Sequence, residues 1–170
     1  MNNEHFMKEA LALAETALYE GEFPVGCILV HKNRILATGT RQGTATETAN
    51  EIDHAEITAL INLAGTDSNN EINRQEITLY CTMEPCLMCF GAILLTGIGK
   101  IVYSYEDIMG GGTKCDLTTL SPLYRNRQIS IIPGILRNES LDIFKAYFSN
   151  PSNSYWKGSL LADYTLAQKY

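Results

Sequence analysis

The chain has 170 residues, 45% hydrophobic and 19% charged, enough to bury one substantial core, and a single domain is the expectation. Its formal net charge of −6 argues against a uniformly basic grip on a polyanion, but residues 1–99 carry 5 Lys/Arg against 13 Asp/Glu and residues 100–170 carry 8 against 6, so any nucleic-acid contact belongs on the C-terminal part. No run approaches the roughly 18 apolar residues of a membrane helix, and Met1–His5 lacks a basic-then-apolar leader, so the expected location is the cytoplasm, with no membrane partner.

Phe6, Met7, Ala10, Leu11, Ala14, Ala17 and Leu18 recur at three- and four-residue spacing, which predicts an amphipathic helix over 4–19 ending near Gly21. Two strands follow at 25–30 and 34–38, joined by the hairpin-length connection His31-Lys32-Asn33. Residues 40–53, rich in Thr, Gly and Asn, read as a loop. A second helix is predicted from about His54 through Ile57, Leu60, Ile61 and Ala64 to Gly65, then a polar loop over 66–75 and a buried strand at 77–81. Pro85 is placed in the first turn of a third helix, where its missing N–H costs nothing, and the apolar run to Leu95 carries that helix to Gly97. A strand at 101–105, the loop Gly110-Gly111-Gly112, a short segment at 117–123, a strand at 129–132 and a helix at 139–148 come next. Pro151–Ser154 break the chain, and a last helix is expected over 159–168. The expected domain covers 1–170, with a core at about 5–148 and a helical tail at about 155–170. Helices interleaved with strands of these lengths predict an α/β fold, a single sheet covered on both faces.

Five cysteines are an odd number, so metal ligation or burial is the better reading than a disulfide framework. Cys86 and Cys89 stand at i and i+3 at the start of a predicted helix and so share a face. The unpaired N–H groups there favour thiolate, the form that binds metal. His54, 32 residues upstream and also at a helix start, supplies a third donor. A soft N/S set of three suits zinc with one coordination position open, the arrangement of a catalytic rather than a structural site. Water activated at such a position can attack a carbon bearing an amino group, but the leaving nitrogen needs a proton. Glu56, two residues from a donor, is placed to move it. Cys27, Cys81 and Cys115 are expected to pack in the core or lie free.

His54-Ala55-Glu56 followed by Pro85-Cys86-Leu87-Met88-Cys89 matches the pattern of zinc-dependent nucleobase deaminases. Together with Phe23–Cys27, Leu79–Glu84, Gly91-Ala92-Ile93 and Ile101-Val102-Tyr103, it makes the chain resemble the cytidine/deoxycytidylate deaminase superfamily over roughly 5–148. Within that superfamily it is similar to the tRNA adenosine deaminases that form inosine at the wobble position. The resemblance implies a three-layer α/β/α sandwich with a single mixed sheet, one Zn2+ per chain, a homodimer and hydrolysis of a nucleobase C–N bond. Glu56 is then the catalytic residue, His54, Cys86 and Cys89 hold the metal, and Ala55, Pro85, Arg41 and Asp107 are candidate substrate contacts.

The chain departs from those tRNA enzymes where Gly39 is followed by Thr40 and Arg41 rather than an asparagine, and where a longer 42–53 loop leads into His54. Besides adenosine in a tRNA anticodon loop, a free base or nucleoside of guanine, cytosine, adenine or cytidine type therefore remains a substrate class to distinguish. A catalytically silent deaminase-like subunit, or a zinc-stabilised binding module, is a third reading; Glu56 counts against it, because a structural site needs no proton shuttle. Tyr103, Tyr105, Tyr147, Phe148 and Trp156 could stack on a base or fill the core. Lys114, Arg125 and Arg127 are the candidate phosphate contacts.

Overall fold

The computed structural model describes residues 2–45, 50–66 and 72–169; parts of the two expected polar loops, 46–49 and 67–71, lie outside the described residues. Helix α1 (Asn3–Tyr19) starts where the Asn2 side chain accepts the His5 N–H, and the chain turns after it at Gly21, whose φ is +79°. Strands β1 (Gly26–His31) and β2 (Arg34–Thr40) form a hairpin through Lys32 and Asn33, both at positive φ as a two-residue primed turn requires. β2 runs two residues beyond its expected end and so delivers Arg41 to the sheet's edge. Next come α2 (Ala55–Thr66), β3 (Thr78–Met83), α3 (Leu87–Thr96) and β4 (Lys100–Tyr105). The segment expected at 117–123 resolves into a 3-10 turn at Leu117–Thr119 and a one-turn helix α4 (Pro122–Arg125). Strand β5 (Ser130–Ile132), α5 (Arg137–Ser149) and α6 (Leu160–Ala167) complete the described chain.

The five strands form one sheet in the order β2-β1-β3-β4-β5. β1 is antiparallel to both neighbours, while β3, β4 and β5 run parallel, so the sheet is mixed as expected. All six β3 residues are buried, the pattern of a strand covered on both faces. Alternation along the strands sends Cys27, Leu29, Leu79, Cys81, Ile101 and Tyr103 towards the face covered by α2 and α3, and Ile28, Val30, Tyr80 and Val102 towards α1 and Ile143 of α5. These are the three layers expected from the sequence.

Gly39 fixes how α2 meets the sheet. A Cβ there would stand 2.2 Å from the Ala55 carbonyl oxygen and 2.6 Å from the Ala59 nitrogen, so the first turn of α2 rests directly on the β2 backbone. The tail is fixed just as firmly. Phe23 gathers Phe144, Tyr147, Phe148, Tyr155 and Trp156 around itself at ring separations of 5.2–5.9 Å. Farther along, the Tyr164 hydroxyl and the Arg137 guanidinium both donate to the Glu106 carboxylate, and Lys145 Nζ donates to the Gln168 carbonyl at 2.7 Å.

Candidate active site

His54 lies immediately before α2, and its carbonyl accepts the Thr58 N–H at 2.9 Å. Glu56 therefore sits in that helix's first turn, 3% exposed. Cys86 has extended dihedrals (φ −67°, ψ 171°) while its carbonyl accepts the Phe90 N–H at 2.8 Å, which makes it the N-cap of α3. Pro85 is consequently not in the helix's first turn. Because Cys86 takes the cap, the proline lies outside the helix, its carbonyl accepting the Gly112 N–H at 2.9 Å. Two helix N-termini thus bring the donors together from separate segments, and the positive ends of their dipoles favour thiolate there.

At that point the donor atoms of His54, Cys86 and Cys89 lie within 4.8 Å of one another. His54 Nδ1 is 3.6 Å from Cys86 Sγ and 3.5 Å from Cys89 Sγ. Two donors that share one tetrahedral zinc, with bonds of about 2.0–2.1 Å to nitrogen and 2.3 Å to sulfur, stand roughly 3.5 Å apart. The donor set therefore fits zinc in both chemistry and spacing. The hydrogen bond from the Cys89 thiol, helped by His54 and opposed by burial, draws Cys86 down to about 4; the same contact and burial push Cys89 up. One thiolate is thus already favoured beside an imidazole. Burial lowers the His54 pKa, but the hydrogen bond to Cys86 and the charge of Glu56 outweigh it, so the net displacement is upward. Burial pushes Glu56 up to about 7, into the range of a group that both takes and gives a proton near neutrality.

Above these residues opens a cavity at the carboxyl ends of β3 and β4, where the sheet changes from antiparallel to parallel pairing. Its lining includes Phe23, Val25, Met83, Tyr155 and Trp156 together with the polar side chains of Arg41, His54, Glu56, Glu84 and Asp107. Of the expected substrate contacts, Arg41, Ala55 and Asp107 line the cavity and Pro85 does not, because it is buried beneath the Gly112 loop. Asp107 Oδ1 accepts the N–H groups of Met109 and Gly110, both at 2.9 Å, so its carboxylate shapes the glycine loop. Gly112 in turn lies against the start of α3, where a Cβ would come within 2.7 Å of the Leu87 backbone.

Three polar residues at or beside the cavity escaped the sequence reading. Glu84, 4% exposed, accepts from Asp107 N–H at 3.2 Å and from the Thr113 hydroxyl. Tyr155 and Glu51 meet Arg41 from the tail and from the loop before α2. A charge embedded between a buried strand and a Pro-Cys pair was a usable signal for Glu84; nothing in the local pattern marks the other two. Of the aromatic candidates, Tyr103, Tyr105 and Tyr147 are core residues, Phe148 packs against the core, and Trp156 reaches the cavity. Cys27 and Cys81 are fully buried cross-strand partners, and Cys115 is partly buried. Lys114 and Arg125 are exposed, whereas Arg127 donates to the Leu95 carbonyl at the far end of α3 from Cys86.

The model of the cytidine and deoxycytidylate deaminase zinc-binding region matches residues 1–105. A tRNA-specific adenosine deaminase of Streptococcus pyogenes serotype M18 is 32% identical over 145 residues, covering 85% of this chain and 88% of the relative. Among solved structures, one from studies of A-to-I editing by tRNA:A34 deaminases superimposes with a TM-score of 0.67 at 28% identity, covering 82% of this chain and 98% of the other. The guanine deaminase of Nitrosomonas europaea shares the fold, with a TM-score of 0.66 at 19% identity over 85% of this chain and 83% of its own. The matched residues include His54, Glu56, Cys86 and Cys89, and the chain belongs to the cytidine and deoxycytidylate deaminase family.

Proposed function

We propose that this protein is a zinc-dependent hydrolytic deaminase that converts adenosine to inosine in a tRNA anticodon loop. The observation that carries the reading is the convergence of His54 Nδ1, Cys86 Sγ and Cys89 Sγ beside a buried Glu56 at a cavity lined by both apolar and polar side chains. The choice of adenosine in tRNA is supported by the 32%-identical relative, named as a tRNA-specific adenosine deaminase, of which this chain covers 88%.

His54, Cys86 and Cys89 hold one zinc per chain, and the ion supplies Lewis acidity in the cavity. Glu56 takes a proton from water as its oxygen bonds to the ring carbon, and returns it to the exocyclic nitrogen so that the C–N bond breaks with loss of ammonia. Phe23, Val25 and Trp156 cover the ring and keep bulk water from it. Leu87 and Leu95 of α3 are 64% and 54% exposed, and this apolar face supports a homodimer. Among the described residues no helix is long and apolar enough to cross a membrane. A tRNA substrate supports the expected cytoplasmic location.

One observation favours the second reading, a free base or nucleoside: a buried Arg41 lines the cavity and ties the tail across it. The discriminating experiment incubates zinc-loaded protein with an anticodon stem-loop carrying adenosine at the wobble position, and separately with adenosine, adenine, guanine, cytosine and cytidine. Inosine in the stem-loop, formed at a rate that falls steeply with salt, is the expected result. Ammonia from a free base or nucleoside with an unmodified stem-loop would replace the tRNA assignment by the second reading.

A further inference from the structure

The tail reaches the cavity through Tyr155 and Trp156, and it does more there than cover an apolar wall. The Tyr155 ring is stacked on Trp156 at 5.0 Å and 16° and lies 5.5 Å from Phe23. Its hydroxyl accepts from Arg41 Nη2 at 3.3 Å and donates to Glu51 Oε2 at 2.7 Å. Arg41 is thereby gripped from three sides: Nη1 donates to the Gln42 carbonyl at 2.9 Å, Nη2 is 3.6 Å from Glu51, and the guanidinium carbon stands 5.5 Å from the Tyr155 ring centre. The side chain is only 2% exposed, yet it lines the same cavity as His54, Glu56 and Cys86.

A buried guanidinium is expensive to desolvate, and the carboxylate it pairs with among the described residues, on Glu51, is 55% exposed and 3.6 Å away. Tail anchoring does not require a charge there, because Phe23 already binds the tail through aromatic contacts and Glu106 binds it through Arg137 and Tyr164. The backbone at the same place is constrained as well: Trp156 has φ +56°, a conformation that a bulky residue adopts only when its surroundings impose it. A guanidinium only donates hydrogen bonds, so what it can recognise is an acceptor.

We propose that Arg41 is a specificity-determining residue that donates to an acceptor on the edge of the base, a ring nitrogen or a carbonyl, and that Tyr155 is the positioning residue that holds it there. Tyr155 and Trp156 of the tail thus complete the substrate pocket. The base edge is the chosen acceptor because Arg41 is buried in the wall, whereas a phosphodiester backbone runs over the surface. The inference rests on the nucleobase-deaminase reading for the class of ligand and not for the reaction.

Trp156 is the only tryptophan of the chain and lines the cavity, so its emission reports on occupancy without turnover. Zinc-loaded Glu56→Ala protein is titrated with adenosine, guanine, cytidine and the anticodon stem-loop while Trp156 fluorescence is followed, and the titrations are repeated with Arg41→Ala, Tyr155→Phe and both together. Tyr155→Phe keeps the ring stack and removes the hydroxyl bridge. It is expected to raise the Kd of the best ligand about 5–10-fold and Arg41→Ala more than about tenfold, with the double variant no weaker than Arg41→Ala. With Glu56 restored, Tyr155→Phe is expected to raise KM by a similar factor and to leave kcat within about twofold.

Additive effects of the two substitutions would mean that Tyr155 acts independently of Arg41 and would overturn the positioning role. A loss confined to the stem-loop would overturn the base edge in favour of a phosphate. An unchanged Kd in Tyr155→Phe, or no response of Trp156 to any of the four ligands, would overturn the inference as a whole. Ligands that bind as expected but release no ammonia from the wild-type protein would overturn the assigned activity and leave this inference standing.

Discussion

On the metal side of the cavity, all four chemical groups come from two short stretches, 54–56 and 86–89, each fixed at the start of a helix that packs on the sheet. On the tail side, Arg41, Tyr155 and Trp156, with Glu51 beside them, come from a strand end, a tail and a loop, and Arg41, Glu51 and Tyr155 meet through hydrogen bonds that span up to 114 residues of sequence. The first side is held by helix starts, whose backbone geometry is local. The second is joined by long-range side-chain contacts. Chemistry common to the family can thus sit on rigid, locally encoded elements while substrate choice is built from parts that diverge independently.

The largest effect is expected from Cys89→Ala, since Cys89 is fully buried among the donors. It should abolish stoichiometric zinc by elemental analysis and lower the thermal midpoint, because metal binding and folding are coupled. Retention of one zinc per chain in this variant would break the metal-side assignment.

Glu56→Ala should come next and behave differently. Zinc content and fold persist while turnover drops by about 10²–10⁴, the usual scale for a general acid–base group. A metal-free Glu56→Ala protein would make Glu56 a ligand rather than a proton carrier.

Gly39→Ala tests how the metal side is mounted. The added Cβ would stand 2.2 Å from the Ala55 carbonyl oxygen and must push the start of α2 outward, taking His54 and Glu56 with it. Chemical denaturation should show a loss of about 1–3 kcal/mol, typical of overpacking, with activity falling further than the stability loss explains.

On the tail side, Glu106→Gln should have the smallest effect, about 1 kcal/mol at neutral pH by the same measurement. Burial pushes the Glu106 carboxyl up, but hydrogen bonds from Arg137 and Tyr164 outweigh it and hold the group below its ordinary range. A folded-state pKa below the unfolded value of about 4.3 gives stability that is complete above that pH and is lost as the pH falls through the folded value. Denaturation curves from about pH 5 to about pH 3 should therefore fall more steeply for the wild type than for Glu106→Gln.

The same division separates what the sequence disclosed from what it withheld. Three- and four-residue periodicity located α1, alternation and turn residues located the β1–β2 hairpin, and the paired His-x-Glu and Pro-Cys-x-x-Cys stretches located the metal donors, because each of these signals is written in neighbouring residues. Boundaries were less legible. β2 and β3 each run two residues past their expected ends, since a strand stops where its partner's pairing stops, and Pro85 lies outside α3 because Cys86 takes the cap. Tyr155 follows the Pro151–Ser154 break with no periodic pattern, and its role exists only through partners 104 and 114 residues away. Arg41 was visible as a departure from the family pattern, but not as a buried guanidinium fixed by the tail.

The central claim is that three protein atoms hold the ion and that Glu56 stands beside it without binding it. X-ray absorption at the zinc edge of the purified protein, paired with anomalous diffraction from its crystals, tests this directly. The expected spectrum and map show one zinc per chain bonded to His54 Nδ1, Cys86 Sγ and Cys89 Sγ, with a non-protein oxygen in the fourth position. A zinc closed by the Glu56 carboxylate or by a third cysteine, or zinc absent from freshly prepared protein, would contradict it.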